Sequence, residues 1–300
     1  MALFGKKKQN KKEIKQEENG SHPGMIFMMQ LLFKEAPEFP GEERITEVLG
    51  KHLGEIVKMG CNEELVGFAV KKYLAKFKDG EMPPTVNMFG CVPFEDKFDE
   101  MQKSQMWDCI NERDRILSEC KYMILASDML AATLTAKQRA ELDMDYLEAL
   151  LELFPDCEAV FFQTSEKLLT ADSIRNTVIG RESRFVKFAV NARFFNIEGT
   201  NDMMVDTLGM STLFLPDLQY HFHDADPNGM VFHAYNIADY ILNNDNPIKD
   251  GDSIDGIADG NISMDVQWKC HYEDAMIKPD RLVIDIEAGE FASGTRNYTE

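Results

Sequence analysis

No run of 18 apolar residues occurs in the 300-residue chain, so no transmembrane helix is expected. The short motifs of common chemistry are missing too. There is no G-x-x-x-x-G-K-[S/T] loop, no G-x-G-x-x-G, no G-x-S-x-G elbow and no H-E-x-x-H. The usual sequence signs of nucleotide binding, hydride transfer and hydrolysis are therefore absent. Cysteines number only six, at 61, 91, 109, 120, 157 and 270, and form no C-x-x-C pair. They read as reduced, mostly structural thiols of a cytoplasmic protein.

Positive charge is also scarce. Lys and Arg total 32 against 52 Asp and Glu, a formal net charge of −20. Residues 1–20 hold six lysines and three glutamates, and removing this local +3 from −20 leaves −23 for the rest. So acidic a body repels phosphate backbones and anionic lipid, which excludes nucleic acid as a partner of the folded part. The N-terminus has no apolar signal-peptide core, and Ala2 stands where myristoylation requires glycine. Residues 1–23 read as a flexible basic leader.

The remaining pattern is mixed. Met25–Lys34 is an apolar run typical of a buried strand, and Glu42–Lys58 has helical spacing. Leu65–Lys78 and Thr85–Val92 read as strands, Phe98–Cys120 as a long helix and Tyr122–Ser127 as a strand. This β-α-β-β-α-β order predicts a ferredoxin-like N-terminal domain over residues 24–170. A further α-β extends it: the helix Thr135–Phe154, opened by a Thr135/Gln138 capping box, and the strand Glu158–Gln163. The polar stretch 170–184 marks the junction to a second domain at 171–287. There Phe185–Ile197 alternates as a strand, a short helix is expected near Asp202–Leu208, and Leu218–His223 is a strand. Asp226 caps a helix with Pro227 at its first position, running to about Asn243. Strands at 253–257, 264–272 and 282–286 complete a small mixed sheet, with residues 288–300 as a tail. The fold class is α+β, in two domains.

Polar chemistry is densest at 217–256, which holds three of the six histidines. On a strand, Leu218, Tyr220 and Phe222 face one way and Gln219, His221 and His223 the other. His233 sits at the edge of the apolar stripe of the following helix. With Asp224 or Asp226, the three imidazoles form the candidate site: His221, His223, His233 and Asp226 for a ligand, His221, His223, His233 and Asp224 for a transition metal. No other cofactor and no catalytic residue is indicated. The aspartates at 245, 250, 252, 255 and 259 lack the glutamate of a calcium loop and read as turn chemistry. Trp268 and His271 share a late strand, and Arg281 follows Pro279.

The successions LPDLQYHFHDADPNGMVFHAYNIADYILNND, IKDGDSIDG and VQWKCHYEDAMIKPDRLVIDI resemble the bacterial family named domain of unknown function 4261, over about residues 185–287. The resemblance implies a bacterial, cytoplasmic α+β protein and carries no activity with it. The expected function is non-catalytic binding of a protein partner or a small ligand, without integral membrane association. The alternative is a metal-assisted hydrolase using His221, His223 and His233. Oligomeric state is open.

Overall fold

The computed structural model describes residues 26–61 and 65–294; the leader expected at 1–23 lies outside the described residues. Helices and strands contribute about equally, and the chain is α+β. The first half runs β1 (Met28–Phe33), α1 (Glu42–Leu53), β2 (Ile56–Cys61), β3 (Leu65–Val70), β4 (Ala75–Phe77), β5 (Gly80–Met82), β6 (Thr85–Phe89) and β7 (Val92–Pro93). It continues with α2 (Glu100–Ser104), a 3-10 turn at Trp107–Cys109, α3 (Arg113–Glu119), β8 (Tyr122–Met129), α4 (Ala136–Leu153), β9 (Ala159–Phe162) and β10 (Lys167–Thr170). The second half comprises α5 (Ala171–Asn176), α6 (Arg184–Ala189), β11 (Asn191–Asn196), β12 (Met203–Leu208) and β13 (Asp217–Phe222). After them come α7 (Pro227–Asn243), β14 (Ser253–Ala258), β15 (Asn261–Asp274) and β16 (Leu282–Glu287).

The first sheet is antiparallel in the order β10-β9-β1-β8-β6-β3-β2, with β7 beside β8. This is not the expected ferredoxin-like arrangement. A split βαβ unit needs two parallel strands flanking a third. Here β1 and β3 are antiparallel, with β8 and β6 between them. The helix expected to reach Lys58 stops at Gly54, whose φ of 80° ends it, and the β-branched pair Ile56–Val57 opens an extra edge strand. The long helix expected over 98–120 is broken into α2, the 3-10 turn and α3. These pieces cover the second face of the sheet through Met106, Cys109, Ile116, Leu117 and Cys120.

The second sheet has the order β11-β12-β13-β16-β15-β14, mixed because β13 and β16 are parallel. Two further expectations are corrected there. The strand expected at Phe185–Ile197 begins as α6, and the helix expected near Asp202–Leu208 is strand β12. Arg184 explains the first case: it is buried and bonds Asp145 and Glu148 of α4, which fixes the segment as a helix against α4. Residues 181 to 189 also meet α4 through Arg181 to Asp145. One cluster of buried apolar side chains runs from Phe27 and Leu31 through Leu147 and Phe185 to Tyr220, Ile241 and Trp268.

The ends of the sheets are closed in different ways. The outer edge of β11 is occupied by side chains. The Gln105 amide accepts from the Phe194 N–H at 2.9 Å and donates to the Phe194 carbonyl at 3.0 Å, as a neighbouring strand would, and Trp107 Nε1 donates to the Ala192 carbonyl at 2.8 Å. Edge strand β2 carries a bulge at Met59, and opposite the edge strand β14 the strand β15 bulges out by residues 264–266. The β15 bulge faces Asp255/Gly256 of β14, where a Cβ on Gly256 would lie 2.6 Å from the Trp268 ring.

Candidate functional site

Alternation along β13 is as expected: Leu218, Tyr220 and Phe222 are wholly buried in the core, while His221 and His223 face the other way. The helix α7 lays its apolar stripe on the core face of the sheet, and His233 goes with it. His233 is fully buried, its Nδ1 2.8 Å from the Tyr220 hydroxyl and its Nε2 2.7 Å from the Asp255 carbonyl. Its ring packs on Trp268 at 4.8 Å. Burial lowers its pKa below the ordinary value, so it is a neutral structural imidazole.

His221 and His223 serve the opposite side. His221 Nε2 lies 3.2 Å from Asp202, whose other oxygen accepts from the Ser293 hydroxyl at 2.9 Å. His223 Nδ1 lies 2.9 Å from the Phe291 carbonyl, and Phe222 bridges to Ala292. The two histidines thus hold the segment after β16 along the end of β13. The three-histidine cluster is therefore corrected: a core strand separates His233 from the other two. Asp224 stands in the left-handed region at φ 53°, and Asp226 caps α7 by accepting from the Asn228 N–H at 3.1 Å. Among the described residues no group of three or more His, Cys, Asp or Glu is placed to hold a metal ion. Asp252 accepts a local hydrogen bond from the Lys249 N–H, while Asp250 and Asp255 accept from the Tyr272 N–H and the Gln267 amide of β15.

The outer face of the second sheet carries a polar row that the sequence reading missed. Arg193, Asp206, Gln219, Asp285 and His271 lie opposite one another across β11, β12, β13, β16 and β15. Arg193 grips Asp206 with two bonds of 2.9 and 2.6 Å. Arg281, with no exposed surface on its side chain, reaches Asp206 at 2.6 Å and Asp217 at 3.3 Å, and donates to the carbonyls of Thr207, Ile277 and Pro279. Burial pushes the Asp217 carboxyl up, opposed by Arg281 and by the N–H of Met210. This network is closed on itself and clasps the 275–281 loop to the sheet. Its only sequence signal was alternation: polar residues at 217, 219 and 285 sit opposite apolar ones at 218, 220 and 284.

The four buried cysteines are poor nucleophiles. Burial pushes the thiols of Cys109 and Cys120 up to about 11 and those of Cys157 and Cys270 up to about 12. Lys167 is equally committed. It is buried, donates to the carbonyls of Lys187 and Val190 at the end of α6, and contacts Tyr235 and Asp108.

Two pockets of similar size lie open, one of them, of about 270 Å³, where the two halves of the chain meet. Trp107 and Phe194 form one apolar side, Pro227 and Val231 of α7 the other, and Ser104, Gln105 and Asn228 supply polar edges. Three elements place these groups. The capping box of Asp99 and Gln102 starts α2, the Gln105 and Trp107 bonds pin that segment to β11, and Asp226 with Pro227 fixes where α7 begins. Asp226, a residue singled out from sequence, is the chain neighbour of the lining residue Pro227.

None of the curated proteins and none of the solved structures matches this chain. The region from Asp206 to Glu287 contains β13, α7, the α7 wall of the pocket and the whole polar row except Arg193. It is this C-terminal part, residues 206–287, that matches the family described as a domain of unknown function (DUF4261).

Proposed function

We propose that the chain acts by binding another macromolecule or a ligand with an apolar group, and that the pocket between Trp107, Phe194 and α7 receives it. The observation that carries this reading is the pocket's composition: an apolar floor with a few amide and hydroxyl groups at its edge, built jointly by both halves. Such concave, mostly apolar places with sparse polar groups are where proteins hold ligands. The division into a part at 24–170 and a part at 171–287 belongs to the same proposal, since a ligand there touches both. The five cysteines described are all unpaired, which fits the bacterial cytoplasm to which the family resemblance points.

The test is selective capture. The full chain and its Val231→Arg variant, which fills the pocket, are each used to isolate partners from the native host. Asn228→Arg, at an exposed lining position, serves as a second variant. A discrete component bound by the wild type and lost with both variants supports the reading. Identical sets from all three chains refute it. Elemental analysis of the same untagged preparations checks the hydrolase alternative, which needs a stoichiometric transition metal.

A further inference from the structure

The outer face of α7 differs from the rest of the surface in two respects. First, it carries no positive charge. From Asp224 to Ile248 the chain has four acidic residues, Asp224, Asp226, Asp239 and Asp245, and no lysine or arginine. Second, it exposes aromatic rings in a column. Asn228, Phe232, Asn236 and Tyr240 recur every four residues along the solvent side of the helix, and Phe232 and Tyr240 are 49% and 47% exposed. The other face of the same helix is fully packed through Met230, Ala234, Ile237, Ala238 and Ile241, so burial of a core stripe does not account for the outer rings.

The column begins at the pocket. Asn228 lines both, and Val231 is the chain neighbour of Phe232. A helix rises 1.5 Å per residue, so Phe232 and Tyr240 stand about 12 Å apart, the span of a short peptide segment. Lys103, the chain neighbour of the lining residue Ser104, is held by Asp96 at 2.8 Å. Asp224 and Asp226, both exposed, come just before the pocket residue Pro227 in the chain, and among the described residues neither has a cationic partner at salt-bridge distance. The α7 N-terminus itself contributes only about half a positive charge, less than the two carboxylates beside it.

We infer that the outer face of α7 and the adjoining pocket form a docking groove for a cationic protein segment, one apolar side chain of which enters the pocket while neighbouring lysines or arginines lie over Phe232 and Tyr240. This rests on the binding reading above and adds the chemistry of the partner. Charge complementarity selects it: the strip's exposed charges, Asp224, Asp226 and Asp245, are all acidic and favour a basic segment over an acidic one. The rings add a second preference, since Lys and Arg are attracted to exposed aromatic faces. The pocket supplies the anchor that gives such a contact register.

The experiment uses the full chain and two synthetic hexapeptides, acetyl-KKLFKK-amide and its charge-reversed partner acetyl-EELFEE-amide. Of the two tryptophans, Trp268 is 2% exposed while Trp107 lines the pocket, so a change in emission on titration reports the pocket. The basic peptide is expected to change the emission saturably, with an affinity that weakens as salt rises from roughly 0.05 M to roughly 0.5 M. The acidic peptide is expected to give no saturable change. The double variant Phe232→Ala/Tyr240→Ala, at two exposed positions that leave the fold intact, is expected to weaken the basic peptide about tenfold. Equal response to both peptides, or no loss in the double variant, overturns the inference. So does silence toward the basic peptide. If a host component is still captured through the pocket in those cases, the binding reading stands and only the cationic partner falls. If Val231→Arg abolishes neither capture nor peptide response, both fall.

Discussion

Asp143 allows the sharpest quantitative prediction. It lies on α4 with no exposed surface, and neither carboxyl oxygen has a hydrogen-bond partner. Asp128 is nearby, but its charge is already taken by Arg139, which bonds it at 2.7 and 3.1 Å, and by the Phe27 N–H. Burial, then the like charge of Asp128, push the Asp143 pKa well above 3.8; Arg139 opposes this only in part. The folded state therefore keeps a proton that the unfolded chain releases. With the folded pKa above the unfolded one, this stability is fully present below the unfolded pKa and is lost as pH rises toward the folded pKa. Within that window one proton is worth about 1.4 kcal/mol per pH unit. Asp143→Asn is uncharged in both states and removes the slope while leaving size and burial unchanged. Urea unfolding of the wild type and Asp143→Asn, at half-unit steps upward from about pH 4.5, gives the difference directly. The stability of the wild type relative to the variant should fall by about 1.4 kcal/mol per unit from the start of the series. Taking the difference cancels Asp217, whose carboxyl is raised in both proteins. It also cancels Glu141 and Glu152, held down at about 2 by their partners. Parallel stability curves across the range would show that Asp143 titrates as an ordinary carboxyl and would refute the reasoning.

Arg281→Ala leaves Asp206 and Asp217 buried without their shared cation, and should cost about 3–5 kcal/mol by chemical denaturation; Arg281→Lys, lacking the planar fork, should recover little of it. His233→Ala orphans the Tyr220 hydroxyl and the Asp255 carbonyl and should cost roughly 2–4 kcal/mol, whereas His221→Gln should cost about 1 kcal/mol or less; equal costs would contradict the placement of these residues on opposite faces. Because His233 is held neutral, its contribution is full above the unfolded value of 6.5 and shrinks as pH falls through that value, a trend that His233→Phe should abolish. Limited proteolysis should cut within 177–180, where Val178 is fully exposed, and the two fragments should co-elute, because the apolar cluster continues from Phe27 to Trp268; fragments that separate without denaturant would contradict a shared core.

Elements with strong local signals were legible from the sequence. The Thr135/Gln138 capping box begins α4, and Asp226–Pro227 begins α7, where each was expected. Elements fixed by distant partners were not. The segment from Arg184 to Ala189 alternates like a strand but is wound into a helix by Arg184 on Asp145. Met203–Leu208 reads as a short helix behind Asp202, yet it is strand β12 and pairs with β11 along six residues. Sheet order was out of reach, because nothing local says that β8 separates β1 from β6. At the site, the alternation that sends His221 and His223 away from Tyr220 was readable. So was the consequence that was overlooked: an apolar helix stripe must cover the apolar strand face, which carries His233 to Tyr220 and away from the other two histidines. The pocket combines Ser104, Gln105 and Trp107 with Phe194 and with Pro227, Asn228 and Val231, which lie far apart in the chain and meet through long-range contacts such as the Gln105 and Trp107 bonds to β11.

The central claim, that the pocket at the start of α7 receives a partner, is tested most directly by crosslinking at Asn228. A photoreactive side chain there, in the full chain expressed in its host, sits on the pocket wall; the same group at exposed Lys78, in the β4–β5 turn, is the control. Irradiation should give one discrete adduct at position 228 and none at position 78. No adduct at 228, or the same adducts at both positions, would contradict the account.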